Sequence, residues 1–351
     1  MAWQVEGSIY STCAITAAAT VECWGDGEHG ALGDGTGLMH HASSPIAVSG
    51  LSGVTDLAGG DFFWCALVAG GQVRCWGANG SGQLGNGTTL ESSVPVTVTG
   101  ISGATAISAG GEQACAVVAG TVRCWGNDQE GQLGDGTTSN TSTPVQAVGV
   151  SGATDVAVGH YHSCALVSGG SVSCWGSASF GQLGDGVYVG RSTAAPVSGL
   201  TGATQLVSGY FHTCALVGGT VRCWGYDLYG QLGDNSVATD SPSPTMVVGM
   251  SSAVRLAANE HTTCAVSADG TVSCWGHNES GQVGTGTTST RVPTPSAVAG
   301  ISGASDAGVG VDHACAVSSG STVRCWGSNA SGQLGDGTTT DSYTPVTAAT
   351  F

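Results

Sequence analysis

Cys325-Trp326-Gly327-Ser328-Asn329-Ala330-Ser331-Gly332-Gln333-Leu334-Gly335-Asp336-Gly337-Thr338-Thr339 decides the architecture, because its opening tripeptide recurs through the chain. Cys-Trp-Gly occurs seven times, with Trp at 24, 76, 125, 175, 224, 275 and 326, so successive Trp residues lie 52, 49, 50, 49, 51 and 51 apart. Seven such units account for all 351 residues, and residues 1–351 therefore read as one domain without a linker. A period of about 50 residues without helical periodicity indicates a propeller rather than a solenoid of helix pairs.

One unit, residues 101–149, can be read element by element. Residues 105–108 alternate and are bounded by Gly103 and Gly110-Gly111, which suits a short inner strand. Residues 114–118 and 121–125 flank Ala119-Gly120 as a hairpin with a two-residue turn. A long loop over 127–143 follows, and then a fourth strand over 144–148 that opens on Pro144, a residue suited to an edge that needs no ladder N–H. The expected fold is all-β: a seven-bladed β-propeller of four-stranded antiparallel blades. The first unit starts abruptly at Trp3-Gln4-Val5-Glu6-Gly7 and the last ends on residues 345–349. These ends are expected to pair, the C-terminal strand completing the first blade and removing a free edge.

Composition narrows the function classes. Seven Lys+Arg against 24 Asp+Glu, a net charge of −17, removes the counterion-release term that drives nucleic-acid binding and disfavours anionic membranes. No apolar run approaches the ~20 residues of a membrane helix, so no membrane insertion is expected. Gly is abundant at 60 residues, yet 41% apolar residues and evenly spread Trp argue against disorder.

The pattern Cys-Trp-Gly-x-Asn-x-x-Gly-Gln-Leu-Gly-Asp-Gly-Thr-Thr, nearly intact at 325–339, resembles the repeats of the regulator of chromosome condensation (RCC1) family along the full chain. The kelch period is similar, but this motif is not its signature. The resemblance implies a seven-bladed propeller and no single function, because the scaffold carries unrelated activities. The nuclear exchange-factor role of the founding member does not suit an acidic chain without a basic tail. The family's plant ultraviolet receptor depends on extra Trp, of which only Trp64 could begin a cluster.

Each unit holds two Cys: 13/23, 65/75, 115/124, 164/174, 214/223, 264/274 and 315/325. Both separations, 9 and 10, place the pair opposite each other across the hairpin: Ala119-Gly120 is the turn in one case, Ala268-Asp269-Gly270 in the other. Disulfides Cys13–Cys23, Cys65–Cys75, Cys115–Cys124, Cys164–Cys174, Cys214–Cys223, Cys264–Cys274 and Cys315–Cys325 are expected, and with them an extracellular or periplasmic location. Reduced thiols packed as small apolar residues are the competing account; zinc lacks its close C-x₂-C spacing. Met1-Ala2-Trp3-Gln4 shows no signal peptide, so an excised or processed domain is expected and secretion rests on the cysteines.

No nucleophile elbow, His-Glu-x-x-His or P-loop is present, and no catalytic residue, metal or cofactor is expected. The motif Trp residues are expected to pack between blades, and the Asp of Gly-Asp-Gly-Thr (34, 135, 185, 234, 336) to bond its own turn. His162, His212 and His313, two residues before a Cys, read as loop fasteners. Gln4, Asp56, Ala106, Asp155, Gln205, Arg255 and Asp306 occupy one register position and are expected to line an acidic central channel.

In an up-and-down blade the first and third connections emerge on one face. Of 14 aromatics outside the motif, eleven fall there: Tyr10, Phe62, Phe63, Trp64, Tyr161, Phe180, Tyr188, Tyr210, Phe211, Tyr226 and Tyr229. All except Tyr10 are the candidate binding residues, since aromatics gathered on one rim are what recognition uses. The expected function is a secreted, non-catalytic module that recognises a protein, or a glycan, through this rim. Segments 60–64, 159–162 and 209–212 resemble in arrangement the secreted bacterial propeller that inhibits β-lactamases. The alternatives are a structural repeat of a larger surface protein and a carbohydrate-active enzyme at the channel mouth.

Overall fold

The unit read above resolves into strands Ala104–Gly110, Gln113–Val118, Thr121–Gly126 and Thr141–Gln146. Its hairpin turn is the expected one: Val118 faces Thr121, and Ala119 and Gly120 have φ of 48° and 75°, the doubly left-handed turn that matches strand twist. The fourth strand begins earlier than the sequence indicates, and Pro144 falls where the register slips between Cys124 and Gly126, so its missing N–H breaks no regular ladder.

The computed structural model describes residues 2–348. Within them 28 strands form seven four-stranded antiparallel sheets, each sheet consecutive in sequence. The blades span residues 2–47, 54–97, 104–146, 153–196, 203–246, 253–297 and 306–347. This is a seven-bladed propeller, with first strands around a central channel and fourth strands at the perimeter.

Ring closure differs from expectation. The last strand, Ser342–Thr347, pairs with Thr322–Gly327 of its own blade, while Ala2–Gly7 is the inner strand of the first blade and pairs with Ser11–Thr16. The two ends lie at opposite radial positions, one at the perimeter and one at the channel, so they cannot share a sheet. The ring closes side by side instead. Ala2 N donates to Ser321 O at 3.1 Å and Val5 N to Asp306 Oδ2 at 3.0 Å. Ala2, Val5, Ala14 and Trp24 then pack with Cys315, Cys325 and Leu334 of the seventh blade.

The core is likewise divided into seven clusters, each shared by two neighbouring blades. Every motif Trp is fully buried, as expected. Each indole N–H donates to a backbone carbonyl of the preceding blade's third loop, at 2.8–3.0 Å: Trp125 to Gln83, Trp224 to Gln182, and Trp24 across the closure to Gln333. Gly335 (φ +72°) shows why the loop carries Gly there: a Cβ would lie 2.7 Å from the Trp24 indole nitrogen.

All seven cysteine pairs are disulfides within their own blades, with Cα atoms 4.0–4.1 Å apart at directly facing positions of the second and third strands. Among the described residues no free cysteine remains. Such closely approaching pairs are non-hydrogen-bonded ladder sites. The turn aspartates also behave as expected: Asp34, Asp135, Asp185, Asp234 and Asp336 each accept the N–H two residues on, at 2.8–3.1 Å.

Candidate binding site

Each first loop is short, and alignment on the following Cys assigns its side chains. The residue two before the Cys opens the second strand and points between blades. Phe63, His162, His212 and His313 share that position, and all four are fully buried. His162, His212 and His313 place Nε2 at 2.8 Å from Thr213, Thr263 and Thr12 of the next blade. They fasten blades rather than loops. The Thr12 hydroxyl already donates to Gln333 O at 2.9 Å, so His313 Nε2 must be the donor, and with no acceptor at Nδ1 the ring stays neutral. Burial alone holds His313 down to about 3.

Aromatic character alone puts Phe63 and Trp64 on the rim, but the structure buries both in the core. They begin the strand Phe63–Val68, paired with Gly77 and Trp76. Trp64 fills the space between the first two blades and donates to Ser11 Oγ at 3.1 Å. A strand residue facing an adjacent blade has no route to solvent, whatever its chemistry.

Six of the other candidates converge. His160 stacks on Tyr210 at 4.6 Å and meets Tyr161 edge-on at 4.2 Å. Tyr161 stacks on Phe211 at 6.0 Å. Phe180, from the third loop of blade 4, lies 5.1 Å from Phe211 and 4.7 Å from Tyr226 of the next blade's third loop. His261 joins Tyr226 (5.3 Å) to Tyr229 (4.9 Å), and Tyr229 ends on His277 at 4.7 Å. Nine half-buried rings thus tile one continuous patch over blades 4 to 6. Contacts between first and third loops confirm that both emerge on the same face.

Two candidates lie apart. Tyr188 is exposed and reaches Asp240 O through its hydroxyl at 3.2 Å. Phe62 forms a smaller group with Tyr10 (6.4 Å) and His29 (5.5 Å) on blades 1 and 2. Of the segments that resemble the β-lactamase inhibitor's loops, only 160–161, 210–211 and Phe62 put rings on the surface. His261 and His277 join the site but are not among the candidates read from sequence. Alignment on Cys and on Cys-Trp-Gly would have found them, since His261 takes the place of Phe211 and His277 that of Tyr226.

Carboxylates border the patch. Asp61 reaches from blade 2 to accept from Tyr210 Oη at 3.2 Å and to pair with His160 Nε2 at 3.0 Å. Burial, with Asp61 and Glu260 nearby, pushes the Tyr210 phenol up. Glu260 is pushed up to about 7 by burial and by the like charges of Asp312 and Asp61. Burial with His277 beside it holds His261 down to about 4. Ligand-type atoms of Glu260, His277 and Asp312 lie within 4.8 Å of one another. His277 Nδ1 there already accepts from Gln282 Nε2 at 2.9 Å.

Beneath this face lies a channel cavity of about 480 Å³ lined by Gln4, Asp56, Asp155, Gln205, Arg255 and Asp306, together with Glu6. Ala106, expected with them, packs into the core between blades 3 and 4. Arg255 Nε pairs with Asp306 at 3.1 Å, and Gln4 Nε2 donates to Asp56 at 3.1 Å. Burial lifts Asp155 and Asp306 to about 6, Arg255 opposing it.

A family model described as RCC1-like domain matches residues 20–350. Over 87 residues, 24% of the chain, the sequence is 37% identical to the E3 ubiquitin-protein ligase HERC2 of Homo sapiens, and equally to that of Mus musculus. The matched stretch spans 2% of those relatives' length. Among solved structures, Prp20p from Saccharomyces cerevisiae is similar with a TM-score of 0.85 at 24% identity, covering 97% of this chain and 88% of that one. Yeast Prp20 with Kap60 bound gives 0.83 at 22%, covering 98% and 84%. Human WBSCR16 gives 0.83 at 21%, covering 94% of both. At these identities the likeness is one of fold.

Proposed function

Because the chain belongs to the RCC1-like domain family, we propose that it is a non-catalytic binding module that holds a protein partner against the aromatic face of blades 4 to 6. One observation carries this: the fold does not require rings at the third-loop places of the patch. At the places of Phe180 and Tyr229 the other blades hold His29, Ser81, Glu130, Ser280 and Ser331. At that of Tyr226 they hold Ala78, Ser177 and Ser328, among others. The blades form equally well with small or polar residues there, so the concentration of third-loop rings in adjacent blades answers to something outside the ring. Half-buried rings with polar tips, held against one another, lose little freedom when covered, which suits an interface centre. Yeast Prp20, of the same fold, has been solved with Kap60 bound, which is consistent with this scaffold serving as a protein platform. Seven buried cross-strand disulfides support an oxidising, extracytoplasmic setting.

The test is a partner captured from the source's own secretome and titrated against the double variant Tyr210→Ala/Phe211→Ala. A hot spot there lowers binding by ~2 kcal/mol or more, with the melting temperature retained. Undiminished affinity in a folded variant refutes the assignment and directs attention to the channel mouth around Asp56, Asp155 and Asp306.

A further inference from the structure

The same face carries most of the molecule's charge, and of one sign. Six of the 24 acidic residues lie elsewhere: Glu6, Asp56, Asp155 and Asp306 along the channel, Glu22 in a strand and Asp269 at an opposite turn. The remaining 18 all lie in the first and third loops. The seven cationic residues are all Arg. Four of them, Arg74, Arg123, Arg222 and Arg324, sit in third strands, and Arg255 is in the channel. Arg191 and Arg291 alone approach this face, and both are engaged, Arg191 by Asp185 and Arg291 by Leu228 O at 3.4 Å. Glu260 and Asp312, at the edge of the ring patch, have no Arg partner among the described residues. Asp312 accepts from Gln282 Nε2 at 3.3 Å and lies 3.9 Å from His277 Nδ1, and a Glu260 carboxylate oxygen lies within 4.8 Å of both His277 and Asp312.

We propose that the partner presents a basic segment to this face, an Arg- or Lys-bearing loop laid across the rings of blades 4 to 6 with its cationic groups toward Asp61, Glu260 and Asp312. This rests on the binding role proposed above and specifies its occupant. Charge complementarity selects it. An acidic or second identical surface would bring like charges together over a face that has none to spare, and a neutral apolar one would bury carboxylates without a counter-charge. A guanidinium or ammonium group meets both features, stacking on Tyr faces and pairing with the carboxylates beside them.

The full-length protein, disulfides intact, would be panned at 150 mM NaCl against a displayed library of random peptides. The variant Tyr210→Ala/Phe211→Ala/Tyr229→Ala keeps every carboxylate and serves as the counter-target, so peptides held by bulk charge alone are removed. If the triple variant melts early, Tyr229→Ala alone replaces it. Enriched peptides are expected to be rich in Arg or Lys and to weaken at least ~10-fold between 50 and 300 mM NaCl. They should also lose ~3- to 10-fold on Glu260→Gln/Asp312→Asn. Ring-dependent peptides that are neutral or acidic, or indifferent to salt, overturn the basic occupant while leaving the aromatic face as the binding site. Peptides that bind the ring variant as well as the parent overturn both. No enrichment at all also counts against the basic occupant.

Discussion

Replacing His313 by Gln should make the protein less stable at neutral pH and less sensitive to acid. The imidazole is fully buried between the seventh and first blades, donates through Nε2 to Thr12, and leaves Nδ1 without a partner. Protonation would add a donor at Nδ1 with no acceptor, so the charged form belongs to the unfolded chain. The unfolded ring takes its proton near pH 6.5 and the folded one only near 3, so stability is complete above 6.5 and falls as pH drops toward 3. The slope approaches about 1.4 kcal/mol per pH unit below 6.5, which amounts to roughly 2 kcal/mol by pH 4.5. Gln is admissible because Gln113 fills the corresponding place in the third blade and donates toward Gly159 O and His162 O. The variant should lose about 1 kcal/mol at pH 7.5 for the altered hydrogen bond. It should then recover relative to wild type on acidification and become the more stable protein by pH 4.5. Buried carboxylates such as Asp155 and Asp306 work oppositely, gaining protons in the fold below about 6, but they are common to both proteins and cancel in the difference. Denaturant titrations of both proteins at pH 7.5, 6, 5 and 4.5 give that difference. Parallel stability profiles would show that the folded ring protonates freely, refuting the sealed, neutral latch.

Alkylation of the denatured, unreduced chain followed by intact-mass measurement should find no free thiol; several would contradict the seven pairings. Reduction should lower the melting temperature strongly, since each ten-residue closure restrains the unfolded chain by nominally ~2.5–3 kcal/mol. Deleting residues 2–7 should destabilise more than truncating before Thr344, because the first removes both an inner strand and the closure contact; the reverse order of melting temperatures would contradict side-by-side closure. Trp224→Ala should cost about 3–5 kcal/mol, whereas Phe211→Ala should leave the melting temperature nearly unchanged; equal losses would mean the patch is core.

The Cys-Trp-Gly period made blade number, hairpins and disulfides legible, because each follows from local spacing. The errors have separate causes. Phe63 and Trp64 were sorted by chemistry rather than by distance from Cys65, although that distance places them on the strand, where register decides burial. Ala106 shares the register of the channel residues but is too short to reach the lumen. Closure by strand exchange fails on the same reading that makes the first strand inner and the fourth an edge, since strands at those two positions cannot share a sheet. The joining of Phe180 to Phe211, or of Asp61 to Tyr210, depends on angles between blades, which no single unit encodes.

The Trp24-to-Gln333 contact repeats the six internal indole-to-carbonyl bonds, so the ring has no special seam. Any of the seven junctions could serve as the place where the chain starts and stops. Circular permutants opened between other blades, with residues 2 and 348 joined by a short linker, would keep the same seven junctions and the same face. Gene rearrangement could therefore rotate the order of units without disturbing the molecule, and only gain or loss of a whole unit would force every junction to a new angle.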